Sequence, residues 1–190
     1  EEQRGKYRTL DMNQIESWAE VRGRLLHQAE GRFELPAVGD WVGLVPNPQG
    51  SCMIHRILQR KSMLVRKVAG NAACEQIFAT NIDLVFIVCS LNHDFNLRRI
   101  ERTLAIAWES GAKPIVLLTK ADLCEDPEPF REQVEQIAPC VEILTVSVLL
   151  NIGLDQVQEH LAPGITAVLL GSSGTGKSTL LKALHKHLVS

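Results

Sequence analysis

The sequence predicts an α/β protein in two parts, a small β-rich domain over residues 1–80 and a parallel α/β domain over residues 81–190. In the first part, short β-prone segments alternate with turn signals at a spacing of roughly 8–12 residues, as in small barrels and sandwiches. In the second part, apolar runs alternate with amphipathic segments of about 10–15 residues, which is typical of βαβ units around a parallel sheet.

The composition is that of an ordinary globular protein. The 190 residues are 45% hydrophobic and 22% charged, with a net charge of −2. No apolar run approaches the length of a membrane span, and the five cysteines are scattered without a C-x-x-C pair. We therefore expect buried thiols in a reducing cytoplasm and no membrane partner. We also expect the protein to be a monomer.

The first domain combines turn signals with an excess of basic residues. Residues 35–45 predict a turn that leads into a strand, in which Trp41 packs or, as the less favoured interpretation, stacks on a nucleic-acid base. Residues 1–80 contain 11 Lys and Arg against 9 Asp and Glu, whereas residues 81–190 contain 9 against 13. One basic cluster can bind the phosphate backbone of RNA or form a solvated surface. Its members are Arg56, Arg60, Lys61, Arg66 and Lys67.

The second domain is predicted to contain four strands and four helices. The strands cover residues 82–89, 115–118, 141–146 and 165–170, and the helices cover residues 97–110, 128–138, 154–160 and 179–184. The strands are nearly continuous apolar runs, as expected where both faces of a sheet are covered. The first of these helices has clear end signals, because Asn96 can cap its first turn and Gly111 can terminate it.

The strongest chemical signal follows the last predicted strand. Residues 171–178 fit the pattern G-x-x-x-x-G-K-[ST] at every fixed position, and a helix is predicted directly after them. Glycines allow successive backbone N–H groups to turn inward around phosphate oxygens. Lys177 is expected to reach the β- and γ-phosphates and Ser178 to bind Mg²⁺, so these two are the catalytic candidates. The candidate phosphate contacts are Gly171, Ser172, Ser173, Gly174, Thr175, Gly176, Lys177, Ser178 and Thr179.

A second set of candidates follows the predicted strand over residues 115–118, where Thr119, Lys120 and Asp122 form a T-K-x-D motif. A carboxylate at the carboxyl end of a parallel strand points into the ligand crevice. One carboxylate can accept hydrogen bonds from both N1–H and the exocyclic amine of guanine, whereas adenine has no such donor pair. The stem of Lys120 can lie across the purine ring. Ser147, at the end of the next strand, is a further candidate for the guanine pocket.

The order of these motifs resembles that of the circularly permuted GTPases, and in particular the bacterial small-ribosomal-subunit biogenesis GTPases of the YjeQ/RsgA type. In Ras-like GTPases the phosphate loop comes first, whereas here it follows the base motif. The matching stretches are residues 35–41, 66–70, 76–81, 96–102, 118–123 and 170–180.

The resemblance implies an OB-like β-barrel that binds ribosomal RNA, followed by a circularly permuted P-loop GTPase domain. It implies GTP or GDP and Mg²⁺ as ligands, and the small ribosomal subunit and 16S rRNA as partners. The implied activity is GTP hydrolysis stimulated by the 30S subunit during its late maturation.

The residues given depart from the family pattern in two ways. Switch I, a D-x-x-G motif after the phosphate loop and a zinc-binding carboxyl-terminal domain are not among them, so we expect an incomplete GTPase domain and assign no zinc ligand. The one D-x-x-G match covers residues 40–43, in the β-rich domain. Thr119 stands where Ras-like GTPases have Asn, a substitution that resembles the usage of this family.

Two other functions are compatible with part of the pattern. The first is an RNA-binding assembly module whose nucleotide site is regulatory and does not hydrolyse GTP. The second is an ABC-type ATPase, because residues 170–181 also resemble the phosphate loops of that class. The T-K-x-D motif and the late position of the phosphate loop favour the permuted GTPase.

Overall fold

A computed structural model describes residues 2–3, 5–29, 31–47, 50–67 and 75–189 of the chain. The chain divides into two compact units, Glu1–Asn81 and Ile82–Ser190. No helix among the described residues is long and apolar enough to cross a membrane. The cysteines at positions 52, 89, 124 and 140 are free thiols, but only Cys89 is fully buried, so the predicted burial is wrong for the other three. Cys74 lies outside the described residues.

The first unit contains a five-stranded sheet. Its strands are β1 (Glu2–Gln3), β2 (Lys6–Leu10), β3 (Glu16–Val21), β4 (Val42–Val45) and β5 (Cys52–Ile57). Their spatial order is β1-β2-β3-β5-β4, with β3 and β5 parallel and the other neighbours antiparallel. This small mixed sheet is consistent with the OB-like fold that the sequence predicts.

A separate antiparallel hairpin follows, formed by β6 (Met63–Lys67) and β7 (Glu75–Thr80). Part of the matching stretch 66–70 lies outside the described residues. The first unit also contains α1 (Gly23–Gln28) and a 3₁₀ turn at Arg32–Glu34. The sequence analysis predicts only short strands and turns in this unit and so misses α1, which begins at Gly23. Six residues are too few to show a 3.6-residue apolar repeat.

The second unit is built on a four-stranded parallel sheet. Its strands are β8 (Leu84–Ser90), β9 (Lys113–Thr119), β10 (Glu142–Val146) and β11 (Ala167–Leu170). Their spatial order is β10-β9-β8-β11, and every neighbouring pair is parallel. The predicted parallel α/β fold is therefore confirmed.

Four helices connect and follow these strands. They are α2 (Leu97–Ser110), α3 (Glu128–Ile137), α4 (Leu154–Glu159) and α5 (Lys177–Val189). The end signals of α2 act as predicted. The Asn96 side chain accepts a hydrogen bond of 3.0 Å from the Arg99 N–H, and Gly111 ends the helix with φ +84°.

One apolar core holds the sheet against α4 and α5. Phe86 and Leu117 from the central strands lie in the same buried cluster as Leu154 of α4 and Leu180 of α5. Because Leu180 is fully buried at the first turn of α5, packing fixes the place at which this helix begins. The loop between β11 and α5 is thus held at both ends by buried elements.

Candidate nucleotide-binding site

The strand order of the second unit reverses between β8 and β11. After β8 the chain adds β9 and then β10 on one side, and β11 pairs with the other side of β8. In open parallel sheets such a reversal leaves a crevice at the carboxyl ends of the strands, where ligands bind. Lys120, Ser147 and Gly171 each directly follow a strand at this edge.

The loop between β11 and α5 has a backbone that requires glycine. Gly174 and Gly176 adopt φ values of +82° and +91°, in the left-handed region. At Gly171 a Cβ atom would lie 2.4 Å from the Val88 carbonyl oxygen of β8. The three glycines let the chain turn tightly against the neighbouring strand before α5 begins.

This loop presents unused hydrogen-bond donors. The backbone N–H groups of residues 172–174 and 176–179 donate no hydrogen bond to any other described residue. Several of these groups belong to the first turn of α5, whose amino end carries the positive end of the helix dipole. The arrangement is suited to a bound anion, and phosphate oxygens fit it.

Lys177 folds back over the same loop. Its ammonium donates to the carbonyl oxygens of Gly171 and Ser172 at 2.9 and 2.5 Å. Thr175 is buried, and its hydroxyl also donates to the Ser172 carbonyl, at 3.0 Å. Ser173, Ser178 and Thr179 are exposed on the loop and the first turn of α5. The Lys177 ammonium is therefore hydrogen-bonded to loop carbonyls at the place where phosphates would bind.

Thr119 joins the base motif to the phosphate loop. Its hydroxyl is buried and donates to the Thr175 carbonyl at 2.7 Å, and it also lies 3.3 Å from the Cys89 carbonyl. The sequence groups Thr119 with the guanine contacts, but the structure turns its hydroxyl toward the phosphate loop. The two motifs, which are 56 residues apart, thus meet at one edge of the sheet.

Asp122 is oriented by Ser147. The Ser147 hydroxyl is fully buried and donates to Asp122 Oδ1 at 2.5 Å, while the Leu150 N–H donates to the same hydroxyl at 3.2 Å. Among the described residues no group donates to Asp122 Oδ2. Lys120, which begins the 3₁₀ turn Ala121–Leu123, has φ +58°. Non-glycine residues in this region cluster at functional sites.

Arg99 is a site residue that the sequence analysis does not single out. It lies in the first turn of α2, and its Nη1 donates to Ser172 Oγ of the phosphate loop at 2.6 Å. The two residues are 73 positions apart, and no local pattern indicates their contact. The only signal was that Arg99 falls within the matching stretch 96–102.

In the first unit, Arg60 is part of a closed network with Asp40. Its guanidinium forms a bidentate pair with the Asp40 carboxylate at 2.8 and 2.7 Å and also donates to the Phe33 and Leu35 carbonyls. The Thr80 hydroxyl donates to Asp40 Oδ1 at 2.8 Å. The Asp40 and Arg60 side chains are only 1% and 16% exposed. Both groups are therefore committed to the fold, which leaves Arg60 without a donor for RNA.

Hydrogen bonds lower the pKa of Asp40. Burial on its own raises the pKa of this carboxyl, but the bonds from Arg60, the Ala37 N–H and Thr80 outweigh it. Asp40 also begins the one D-x-x-G match of the sequence, and its network excludes a role as a metal ligand there.

The other basic candidates have different surroundings. Arg56 on β5 and Lys61 are exposed, while the side chains of Arg66 and Lys67 lie outside the described part of the chain. Trp41 is 67% exposed, so it does not lie in the core of this unit. The Trp41 carbonyl accepts a bond from the Leu58 N–H, which continues the pairing of β4 with β5.

The donor chemistry at the phosphate loop allows Mg²⁺. No group of three or more His, Cys, Asp or Glu among the described residues could hold a metal ion. The Ser178 hydroxyl lies exposed at the second position of α5, beside the unused N–H donors. A hydroxyl at this position fits a Mg²⁺ ion that is held mainly by phosphate oxygens and water.

Comparison with known protein families gives a direct match. The family model described as RsgA GTPase matches residues 57–190. A small ribosomal subunit biogenesis GTPase RsgA 2 from Lactiplantibacillus plantarum is 46% identical over 166 residues, which are 87% of this chain and 47% of that protein. A small ribosomal subunit biogenesis GTPase RsgA from Syntrophotalea carbinolica is 42% identical over 187 residues, or 95% and 51% of the two chains. The chain thus spans about half the length of these relatives.

Solved structures match the fold. The crystal structure of YjeQ from Thermotoga maritima has a TM-score of 0.69 at 24% identity and covers 92% of this chain and 58% of its own. The crystal structure of YloQ, described as a circularly permuted GTPase, has a TM-score of 0.68 at 21% identity and covers 98% and 63%. The order of strands and motifs along this chain agrees with that permuted fold.

Proposed function

The chain belongs to the RsgA GTPase family, and we propose that it is the guanine-nucleotide-binding part of a GTPase that acts in the biogenesis of the small ribosomal subunit. The observation that carries this proposal is the hydrogen bond between Thr119 and the Thr175 carbonyl. It joins the strand end before Asp122 to the loop before Lys177, so one nucleotide can reach both residues.

Asp122 selects the guanine base in this proposal. Its Oδ2, which accepts no hydrogen bond from a described residue, and the Oδ1 held by Ser147 accept hydrogen bonds from guanine N1–H and the exocyclic amine. Adenine would leave the carboxylate without its donors, and an unpaired buried polar group strongly disfavours binding. Lys120 supplies a stem that packs along the purine.

Residues 171–179 bind the phosphates. The free N–H groups of the loop and the ammonium of Lys177 neutralise the β- and γ-phosphates, and this lysine exchanges the Gly171 and Ser172 carbonyls for phosphate oxygens. Ser178 holds Mg²⁺, which when bound neutralises charge that develops during in-line attack by water. We expect unassisted hydrolysis on the order of 10⁻³ s⁻¹ or slower, as in GTPases without an activator.

The first unit supplies a contact to RNA in this proposal, with the small subunit and its 16S rRNA as partners of a cytoplasmic monomer. Arg56 lies across Gly43 in the β4–β5 pair, and its Cγ would be 3.1 Å from a Cβ at that glycine. Strand alternation places Trp41 on the same face as Gly43. An exposed aromatic ring beside an exposed arginine is suited to stacking on a base next to a phosphate.

An exchange of the base-reading carboxylate tests the nucleotide assignment. The full chain is titrated with mant-GDP, mant-XDP and mant-ADP as wild type and as Asp122→Asn. We expect wild type to prefer GDP and the variant to prefer XDP, because an amide can donate to the extra xanthine oxygen. Glu125→Gln, an exposed carboxylate three residues away, is the matched control and keeps the wild-type preference. Equal wild-type affinity for mant-ADP and mant-GDP would contradict the proposal and favour an ATPase.

Phosphate release from GTP separates the GTPase from a regulatory, non-hydrolysing module. The protein that contains this chain is assayed with and without purified 30S subunits. We expect subunits to raise the rate by orders of magnitude, as activators do for slow GTPases. Equal rates would refute stimulation by the subunit, and no hydrolysis in either case would leave the regulatory module as the better assignment.

A further inference from the structure

Arg99 reaches the phosphate loop from a different part of the sheet edge. It belongs to the first turn of α2, and its Nη1 donates to Ser172 Oγ at 2.6 Å. The carbonyl of the same Ser172 accepts bonds from Lys177 Nζ and from the Thr175 hydroxyl. Ser172 is therefore the point at which a guanidinium, an ammonium and a buried hydroxyl meet.

Arg99 forms no ion pair within the part of the chain that the structure describes. Among the described residues no Asp or Glu forms an ion pair with it, whereas Arg60 is held bidentately by Asp40. The guanidinium is half-buried and lies near the carboxyl end of β8. Its charge acts on the Cys89 thiol of β8. Burial raises the pKa of this thiol, and the positive charge of Arg99 reduces that increase. Two cations that share Ser172 repel each other until an anion lies close to both.

We propose that Arg99 is a positioning residue of the nucleotide site, which acts through Ser172 to hold the start of the phosphate loop and favours the triphosphate over the diphosphate. This inference rests on the proposed function. The hydrogen bond from Arg99 limits the rotation of the Ser172 side chain and keeps its carbonyl toward Lys177. The added positive charge attracts the more highly charged triphosphate more strongly.

A double-mutant cycle on the full chain tests this role. The dissociation constants of GDP and of a non-hydrolysable GTP analogue are measured for wild type, Arg99→Ala, Ser172→Ala and the double variant. We expect each single change to weaken binding of the GTP analogue roughly tenfold, which is the size of one lost charge-assisted hydrogen bond. Binding of GDP weakens less, and the double variant is no weaker than Arg99→Ala, because Ser172→Ala removes only a contact that is already lost without Arg99.

Two further variants distinguish positioning from a general effect on folding. Arg102→Ala removes an exposed arginine of the same helix, whose Nε bonds the Arg98 carbonyl, and leaves both dissociation constants within about twofold. Arg99→Lys keeps the charge without the guanidinium geometry, and we expect an intermediate affinity that falls further as salt screens the ammonium. Urea unfolding of every variant shows whether the second unit remains folded.

The outcomes separate this inference from the function on which it rests. If wild type binds guanine nucleotides and Arg99→Ala binds both with unchanged affinity, the role of Arg99 is refuted and the proposed function stands. Additive effects in the cycle, or an unchanged GTP-to-GDP ratio with a lower unfolding midpoint, likewise refute it and leave Arg99 a structural residue. If wild type binds no guanine nucleotide, the proposed function fails and the inference fails with it.

Discussion

The two units of this chain hold their charged groups in opposite ways. In the first unit, Asp40 and Arg60 satisfy each other, and the remaining guanidinium donors go to carbonyls of the same unit. In the second unit, Arg99 forms no ion pair with a described carboxylate, and most N–H groups of residues 172–179 have no acceptor among the described residues. A closed network stabilises a fold, whereas an open one leaves the capacity to bind a ligand.

The largest expected effect on stability comes from breaking the closed network. Arg60→Met leaves the Asp40 carboxylate buried and unpaired, so we expect the free energy of unfolding of the first unit to fall by about 3–5 kcal/mol. Tryptophan fluorescence during urea unfolding measures this in a Trp108→Phe background, where Trp18 and Trp41 report on the first unit.

Lys61→Met is the matched control, since Lys61 is the exposed neighbour of Arg60. It changes the free energy of unfolding by about 0.5 kcal/mol at most. If Arg60→Met is as stable as Lys61→Met, the network is not what holds this part of the first unit together.

The next effect concerns the open site. Gly171→Ala places a Cβ atom 2.4 Å from the Val88 carbonyl oxygen, which is too close, so the phosphate loop must shift. We expect the free energy of unfolding to fall by about 1–3 kcal/mol. We also expect mant-GDP to bind at least tenfold more weakly, which corresponds to a loss of roughly 1.4 kcal/mol of binding free energy. Gly23→Ala is the control because a Cβ there meets no atom within 4 Å. Equal mant-GDP affinity of the two variants would contradict the close approach of the loop to β8.

A smaller effect is expected where the two motifs join. Thr119→Val keeps the shape of the side chain but removes the hydroxyl that bonds the Thr175 carbonyl, at a cost of about 1–2 kcal/mol. Thr119→Ser retains the donor and should restore most of the loss. Trp108 fluorescence during urea unfolding and mant-GDP affinity measure both variants. If valine and serine behave alike, the hydroxyl does not couple the base motif to the phosphate loop.

The smallest effect is a pH dependence of the first unit. Hydrogen bonds hold the folded-state pKa of Asp40 below the ordinary value, which is about 3.9 for an unfolded chain. The stability that this carboxylate contributes is therefore fully present above the unfolded pKa and is lost as pH falls through the folded pKa. We expect the free energy of unfolding of the first unit to fall less steeply with acid in Asp40→Asn than in wild type. If the free energy of unfolding depends on pH with the same slope in both proteins, the lowered pKa of Asp40 does not contribute to stability.

Local patterns predicted much of the second unit. The limits of α2 follow from the two residues that flank it. Asn96 caps its first turn, and Gly111 ends it by adopting a left-handed conformation at little cost. The strands follow from apolar runs, and the glycine pattern of residues 171–176 follows from the backbone that an anion cradle needs. Each of these signals lies within a few residues of the feature that it predicts.

The interpretations that failed or changed depend on partners far along the chain. In the sequence, Arg60 is one of five basic residues that look alike. It differs from the others because it pairs with Asp40, which is 20 positions away. Thr119 takes its linking role from Thr175, and Arg99 takes its role from Ser172.

The sequence by itself determined the element types and the parallel sheet of the second unit and the glycine pattern of residues 171–176, because helix caps, apolar periodicity and glycine conformations act over a few residues. Only the tertiary structure decided which charges are neutralised within the chain and which remain open at the sheet edge. The physical reason is that hydrogen bonds and ion pairs require atoms to lie about 3 Å apart, and folding brings such atoms together across 20 to 73 residues.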